Sequence, residues 1–213
     1  GKGKRMNSMV QKQFLELDGY PLLYYTLRAF EQTVVDDIIL VTGENEAAYC
    51  RSEILERYRF RKVRKVVHGG AERYLSVYEG LRAIDHTDIV LIHDGARPFV
   101  TDEVIERTIQ AAAEYGSGIA AVPAKDTVKI VDEAQFAVQT PPRDRVWMMQ
   151  TPQTFRYKEI RHAYEKVLEQ DNPNVTDDAM VLELAFHKPV KIVEGSYWNM
   201  KVTTPEDLLT AAA

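Results

Sequence analysis

Glycines and cations alternate in Gly1-Lys2-Gly3-Lys4-Arg5-Met6, and Lys12 follows in Lys12-Gln13-Phe14-Leu15. Glycine lets a backbone approach a ligand with no side chain in the way. Its N–H groups, and those of the turn it makes, can point at phosphate oxygens. Arg5 adds a planar fork of donors and Lys12 a point charge. Such a turn suits a site where negative charge builds on a transferred phosphoryl group. A short Gly/Lys segment is also what a tag or a frayed end looks like, so its meaning depends on what lies downstream. The phosphate reading further expects a strand ahead of Gly1, because Gly-rich phosphate turns normally follow one.

Downstream, His93-Asp94-Gly95-Ala96-Arg97-Pro98 follows an apolar run. Asp94 is placed to hold a metal or a ribose hydroxyl, and Arg97, kept extended by Pro98, to meet a phosphate. Gly69-Gly70-Ala71-Glu72-Arg73-Tyr74-Leu75-Ser76 is a second loop of this kind. The Gly70 amide and the Ser76 hydroxyl could read a base edge, although a plain turn and helix start explains the spacing as well. Ala124-Lys125-Asp126-Thr127 and Arg143 bracket a hairpin pattern, Thr176-Asp177-Asp178 has the form of a helix cap with first-turn acids, and Lys201 sits in Trp198-Asn199-Met200-Lys201.

These residues need elements to position them. Pro21 to Gln32 predicts a helix, Asp37–Val41 a strand buried on both faces, Glu44–Tyr58 a helix, and Arg64–Val67 a strand ending at Gly69-Gly70. Glu72–Ile84 predicts a helix, Asp88–His93 a buried strand, Thr101 the cap of a helix to Tyr115, and Gly118–Pro123 a strand. This alternation predicts an α/β fold, a mainly parallel sheet with helices on both faces, whose ligands bind beyond the carboxyl ends of the strands. Residues 125–145 break the rhythm. Thr127–Val131, a turn at Asp132-Glu133 and Phe136–Thr140 predict an antiparallel hairpin arm. A two-stranded hairpin is not stable alone, and a second copy of the chain is a natural support. Helices at Tyr157–Leu168 and Asp177–Ala185, a strand at Val190–Val193 and a last helix from Pro205 follow. The whole reads as one domain over 1–213 with the arm at 125–145 inserted.

The chain has 213 residues, 45% of them hydrophobic, with 32 acidic and 27 basic side chains for a net charge of -5. That balance argues against a nucleic-acid binder. The basic run Arg57, Arg59, Arg61, Lys62, Arg64, Lys65 reads as a solvated loop. One cysteine, Cys50, permits no intrachain disulfide and reads as a buried, inert thiol in a reducing compartment. No apolar run reaches membrane-spanning length, so a soluble, cytoplasmic protein with no membrane partner is expected. His68, His86, His93, His162 and His187 make no pair at metal-ligand spacing.

In order along the chain, GKGKRM, KQFLEL, GGAERYLSV, HDGARPF, VPAKDTVK, QTPQTF, VTDDA and EGSYWNMKVTTPEDL make the sequence resemble the 2-C-methyl-D-erythritol 4-phosphate cytidylyltransferases of the non-mevalonate isoprenoid pathway. The resemblance covers nearly the whole chain. It implies a Rossmann-like nucleotidyltransferase core with a hairpin arm, a homodimer, and Mg²⁺ as cofactor with CTP as substrate. It implies that Gly1, Gly3, Arg5 and Lys12 bind the CTP triphosphate and stabilise the transition state. Gly70 and Ser76 would recognise cytosine, with Arg73 in the same loop, and Asp94 would lie by ribose, acceptor and a metal held mostly through CTP phosphates. Arg97, Thr151, Thr176 and Lys201 would line the acceptor-phosphate side, and Thr127 and Arg143 would reach it from the partner's arm. Arg5, Lys12, Arg143 and Lys201 would carry the catalytic charge. The family's small-residue pair ahead of the first glycine does not occur in this sequence.

The nearest rival is a ribitol-5-phosphate cytidylyltransferase, against which VPAKDTVK and EGSYWNMK speak. A non-catalytic nucleotide-binding regulator would not need Arg5, Lys12, Asp94 and Lys201 together. A sugar-nucleotide glycosyltransferase would usually carry a D-x-D metal motif, which this sequence lacks.

Overall fold

The computed structural model describes residues 12–170 and 174–211. Gly1, Gly3 and Arg5 lie outside these, and Lys12 opens a 3-10 turn, Lys12–Phe14. Strands β1 (Glu16–Leu17) and β2 (Tyr20–Pro21) make a small hairpin through Asp18-Gly19. Helix α1 (Leu22–Glu31) starts after Pro21, whose fixed φ suits a helix start. β3 (Ile38–Thr42) leads to α2 (Ala47–Tyr49), which continues as a π-helical stretch, Cys50–Glu56. The helix expected from Glu44 therefore begins three residues later: Glu46 Oε2 accepts from Gly43 N at 2.8 Å, folding that stretch as a turn. β4 (Val63–His68), α3 (Arg73–Arg82), β5 (Ile89–Ile92), α4 (Asp102–Tyr115) and β6 (Ser117–Pro123) follow. Thr101 stands at the N-cap of α4 but makes no side-chain cap bond.

β7 (Ile130–Val131) and β8 (Ala137–Gln139) form the arm. The long β9 (Trp147–Arg156) comes next, then α5 (Tyr157–Leu168), α6 (Asp178–Phe186), β10 (Ile192–Glu194) and α7 (Pro205–Ala211). The sequence pattern predicted neither the two-residue β1 and β2 nor the long β9. β9 lies between β6 and β5, antiparallel to both, in the order β10-β6-β9-β5. β5, β6 and β10 run one way, so the sheet is parallel but for β9. β3 pairs with β4 in parallel. The β6–β9 ladder runs to Pro123 opposite Trp147, and Ala124 N donates to Val146 O at 2.9 Å. The arm is thus carried at the tip of the β6–β9 hairpin.

Successive residues of a strand face opposite sides of a sheet, and here each side has its own core. Ile92 and Ile119 pack with Phe155, Ile160, Tyr164 and Leu182 on the α5–α6 side. Their neighbours Leu91 and Ala120 pack with Phe30, Val104 and Ile105 on the α1–α4 side. Burying one such large side chain stabilises the fold by about 1.5–3 kcal/mol. At Gly118 the α4 backbone comes so close that a Cβ would lie 2.3 Å from Thr108 O, so only glycine fits there. Leu23, Leu27 and Leu40 enclose Cys50, whose thiol burial pushes up to about 12. Four of the six residues of the basic run have local partners: Arg57 pairs with Glu53, Arg64 with Asp37 and Lys65 with Asp85, while Lys62 Nζ donates to Thr33 O at 2.6 Å. No described helix is long and apolar enough to cross a membrane.

Candidate active site

Among the described residues β3 bonds only to β4, and β5 only to β9. The two strands line a cleft of about 1750 Å³ that extends past their carboxyl ends to Gly43, Gly69, Gly70, Arg73, Ser76, Asp94 and Lys201. Most of the fixed chemistry of the site gathers on Asp94.

β5 ends at buried Ile92, and the chain then turns tightly, with Arg97 N donating to Asp94 O at 3.0 Å. Val202 N donates to Ala96 O at 2.9 Å, and this backbone bond seats Lys201 beside Asp94, Nζ to Oδ2 at 2.8 Å. Arg73, at the start of α3, puts Nε 3.3 Å from Asp94 Oδ1. Arg97 Nε lies 3.7 Å from Asp94 Oδ2, and its Nη1 donates to Asn199 O at 2.6 Å. Burial alone would raise the Asp94 carboxyl, but Arg73, Lys201 and Arg97 outweigh it and hold the group below the ordinary carboxylate range.

Asp94 is also fixed through its backbone. Its N–H donates to Thr151 Oγ1 at 3.1 Å, and Thr151 Oγ1 lies 3.0 Å from His93 Nδ1. His93 Nε2 lies 3.1 Å from Arg97 O, which can only accept, so the proton belongs on Nε2 and Nδ1 accepts from the Thr151 hydroxyl. Burial drives the His93 pKa down to about 4, so the ring is neutral. The Thr151 hydroxyl, expected on the acceptor side, is committed to this chain of bonds.

Arg73 does more than touch Asp94. Its Nη1 and Nη2 grip the fully buried Asp178 at 3.0 and 2.7 Å, a bidentate pair. Burial works against the Arg73 charge, but Asp178 and Asp94 outweigh it and raise its pKa. Asp178 also accepts from Tyr164 Oη at 2.6 Å. Together Asp94, Asp178, Arg73, Arg97 and Lys201 set two carboxylates against three cations, one positive charge in surplus.

The Gly69-Gly70 loop lies in the same cleft. Gly69 N donates to Thr42 O at 2.8 Å, and the Ser76 hydroxyl faces Gly70 O at 3.2 Å and Glu72 O at 3.0 Å. A Cβ on Gly69 would meet Ser76 Oγ at 2.6 Å, and one on Gly70 would meet Leu75 Cβ at 2.4 Å. The structure therefore brings Gly70, Arg73, Ser76, Asp94 and Lys201 into one cleft. Arg97 and Thr151 stand just behind Asp94. Thr176 is exposed at the start of α6, its hydroxyl 3.6 Å from Met180 Sδ. Thr127 and Arg143 lie on the arm away from the cleft lining, Arg143 Nη1 donating to Lys125 O at 3.4 Å. No group of three or more His, Cys, Asp or Glu among the described residues could hold a metal; Asp94 offers a single carboxylate.

The sequence reading gave no site role to Asp178, which it took as a first-turn acid, nor to Tyr164, Gln153, Glu46 or Asn199. Asn199 is fully buried and its Nδ2 donates to Thr151 O at 2.8 Å. Glu46 is buried in the cleft wall with Oε1 lacking a hydrogen-bond partner. Asp178 and Asn199 lie in the VTDDA and EGSYWNMK motifs, which was the one signal available for them.

Comparison with known proteins shows the family of the chain. The family model for 2-C-methyl-D-erythritol 4-phosphate cytidylyltransferase, IspD, matches residues 1–213. The protein of that name from Lachnoclostridium phytofermentans is 46% identical over 213 residues, covering 100% of this chain and 91% of the relative. Its counterpart from Clostridium botulinum strain Langeland is 50% identical over 211 residues, covering 98% of this chain and 91% of its own. The crystal structure of 4-diphosphocytidyl-2C-methyl-D-erythritol synthase from Anaerococcus prevotii superposes with a TM-score of 0.88 at 38% identity, over 99% of this chain and 95% of that one. With a parallel-but-one sheet, a glycine-lined cleft at its strand ends and a carboxylate ringed by cations, the chain belongs to the 2-C-methyl-D-erythritol 4-phosphate cytidylyltransferase family.

Proposed function

We propose that this chain transfers a cytidylyl group from CTP to 2-C-methyl-D-erythritol 4-phosphate. An oxygen of the acceptor phosphate attacks the α-phosphorus in line, a new P–O bond forms, the bond to the bridging oxygen of the β-phosphate breaks, and pyrophosphate leaves. The products are 4-diphosphocytidyl-2-C-methyl-D-erythritol and pyrophosphate. The observation that carries this reading is the surplus positive charge around Asp94, in one cleft with the Gly69-Gly70 loop. A phosphate nucleophile is already anionic, so the protein's task is to orient two anions and neutralise the charge between them. Lys201 meets the acceptor phosphate, with Arg97 adding positive charge from behind Asp94, and Gly70 and Ser76 face the base. Gly1, Gly3, Arg5 and Lys12 supply donors to the triphosphate. The relatives described above bear the methylerythritol phosphate name, which sets the ribitol phosphate alternative aside.

Asp94 fits one coordination position of a Mg²⁺ ion, and a hard cation with few protein ligands takes the rest from phosphates and water. When bound, Mg²⁺ supplies charge neutralisation on the triphosphate. The buried thiol of Cys50 and the nucleotide substrate suit a cytoplasmic setting.

The arm supports a homodimer. Every residue from Lys125 to Thr140 is exposed, including Ile130, Val131, Phe136 and Val138, with Phe136 at 72%. A second copy of the chain covers them, and Thr127 and Arg143 then complete the partner's acceptor site.

The test is pyrophosphate release from CTP, with methylerythritol phosphate and ribitol phosphate side by side, in Mg²⁺ and in EDTA. Fast release with the first acceptor, dependent on Mg²⁺, is expected. Equal or faster release with ribitol phosphate overturns the substrate, and full activity in EDTA overturns the metal.

A further inference from the structure

Asp178 has the environment of a group held in place for a purpose. Its carboxylate is fully buried and carries three bonds, two from Arg73 and one from Tyr164. Its backbone is held as well. The N–H groups of Asp178 and Ala179 both donate to Gln153 Oε1 at 2.9 Å, and Gln153 Nε2 donates to Asp177 Oδ2 at 2.9 Å. Asp177 in turn caps α6 through Met180 N at 2.9 Å. The first turn of α6 is thereby pinned to the middle of β9. Buried charges on this scale cost free energy unless fully paired, and a buried ion pair is often no more stable than an apolar substitute. Stability alone does not explain the arrangement.

What the pair does achieve is geometric. Arg73 is a flexible side chain with five donors. The bidentate grip of Asp178, 105 residues along the chain, removes its freedom and leaves Nε aimed at Asp94 Oδ1. Asp94 Oδ2 is then the oxygen presented to Lys201. The order of contacts runs Tyr164, Asp178, Arg73, Asp94, Lys201, from the α5–α6 core to the cleft.

We infer that Asp178 is a positioning residue for cytidylyl transfer, acting through Arg73 to set the carboxylate plane of Asp94. Arg73 is accordingly a positioning residue whose fork is committed to protein carboxylates, rather than a free cation for the nucleotide. The inference rests on the reaction proposed above.

The decisive comparison is between Asp178→Asn and the double variant Arg73→Met/Asp178→Asn. Asp178→Asn takes away the bidentate carboxylate partner of Arg73 and leaves it only the longer contact to Asp94, so the melting temperature falls. The double variant removes both charges and regains much of that stability. If the pair only supports the fold, the double variant also regains turnover. If the pair positions Asp94, kcat stays about 10–100-fold below wild type, the scale of a misplaced reacting group. CTP affinity, measured by calorimetry, then stays within about threefold of wild type, because neither residue meets the nucleotide. Wild-type kcat in the stable double variant overturns the inference, as does a CTP affinity that falls tenfold or more. Should the double variant be insoluble, Asp178→Glu decides. It keeps the charge but moves the Arg73 fork by one methylene; a kcat at least fivefold lower at unchanged CTP affinity supports positioning, and wild-type kcat refutes it. A wild-type enzyme inactive with CTP and methylerythritol phosphate would instead strike the reaction itself, so the two failures are distinct.

Discussion

Acidification tests whether His93 is held neutral, because unfolding frees its ring to take up a proton. In the unfolded chain the ring titrates near 6.5; in the fold, burial moves this to about 4. Below 6.5 the unfolded state binds more protons, so stability is full above that value and falls as the pH drops toward 4. The separation between 6.5 and about 4, at about 1.36 kcal/mol per pH unit, corresponds to about 3 kcal/mol. Asp94 acts in the same direction, but only below its ordinary 3.8. Glu183, raised by burial, acts in the opposite direction, and Glu103 and Asp207 are lowered like Asp94, so a single acid titration mixes several groups. The variant His93→Gln removes the ring and separates them. Urea unfolding of both proteins in EDTA, from about pH 7.5 to pH 4, gives the two stability curves. Near pH 7.5 the variant is expected to be less stable by about 1–3 kcal/mol, having lost the bonds to Thr151 and Arg97. By pH 4 the gap closes by about 3 kcal/mol. Parallel curves would refute the neutral, Nδ1-accepting ring and with it the assigned chain from Asp94 through Thr151 to Arg97.

Three further outcomes are expected. Lys12→Ala lowers turnover by about 10²–10³-fold while CTP binding weakens less, which steady-state kinetics and calorimetry together check. Gly118→Ala drives a methyl into Thr108 O and lowers stability by about 3 kcal/mol, read from the urea midpoint; an unchanged midpoint would show that α4 moves away freely. Inactive Lys12→Ala subunits refolded with inactive Arg143→Ala subunits recover about a quarter of wild-type activity. About half of the dimers are mixed, and one site in each carries neither lesion; no recovery would mean that the arm serves its own chain.

The elements with a clear apolar period were legible in the sequence. Asp88–His93 was expected as a buried strand; β5 spans Ile89–Ile92 but is half-buried except at Ile92, because it borders the cleft. Tyr157–Leu168 was expected as a helix and is α5. β9 was not legible. Trp147-Met148-Met149-Gln150-Thr151-Pro152-Gln153-Thr154 has a proline and four polar residues where a central strand usually has β-branched apolar ones. Its burial is made tolerable by long-range partners: Thr154 Oγ1 bonds Thr108 Oγ1 at 2.9 Å, and Gln150 Nε2 bonds Ser196 O at 2.8 Å. The proline falls where the β6–β9 register shifts, so no ladder bond is lost to its missing N–H. Without β9 the pair of strands that carries the arm was not legible either. In the site, the loops after β4 and β5 were legible because glycine and charge cluster there. The grip of Asp178 on Arg73 was not, since nothing local distinguishes a first-turn acid that binds a distant arginine from one that only caps its helix.

The two neighbours His93 and Asp94 show what kind of chemistry the site is built for. Burial by itself moves them in opposite directions, raising a carboxyl and lowering an imidazole. The cations around them then act on both alike: Arg97 and Lys201 favour deprotonation of the ring as they do of the carboxyl. The result is an anion beside a neutral ring, with neither group titrating near neutral pH. A general acid or base needs a pKa close to the working pH, and the two buried titratable groups at the centre of this site are both kept far from it. Protonating His93 would turn Nδ1 into a donor, reverse the Thr151 bond and add a cation beside Arg97 and Lys201. The arrangement therefore gives up proton transfer in exchange for a fixed pattern of charge. That trade suits a reaction whose nucleophile arrives as a phosphate anion and whose leaving group departs as one, where the barrier yields to placement and neutralisation rather than to a moving proton.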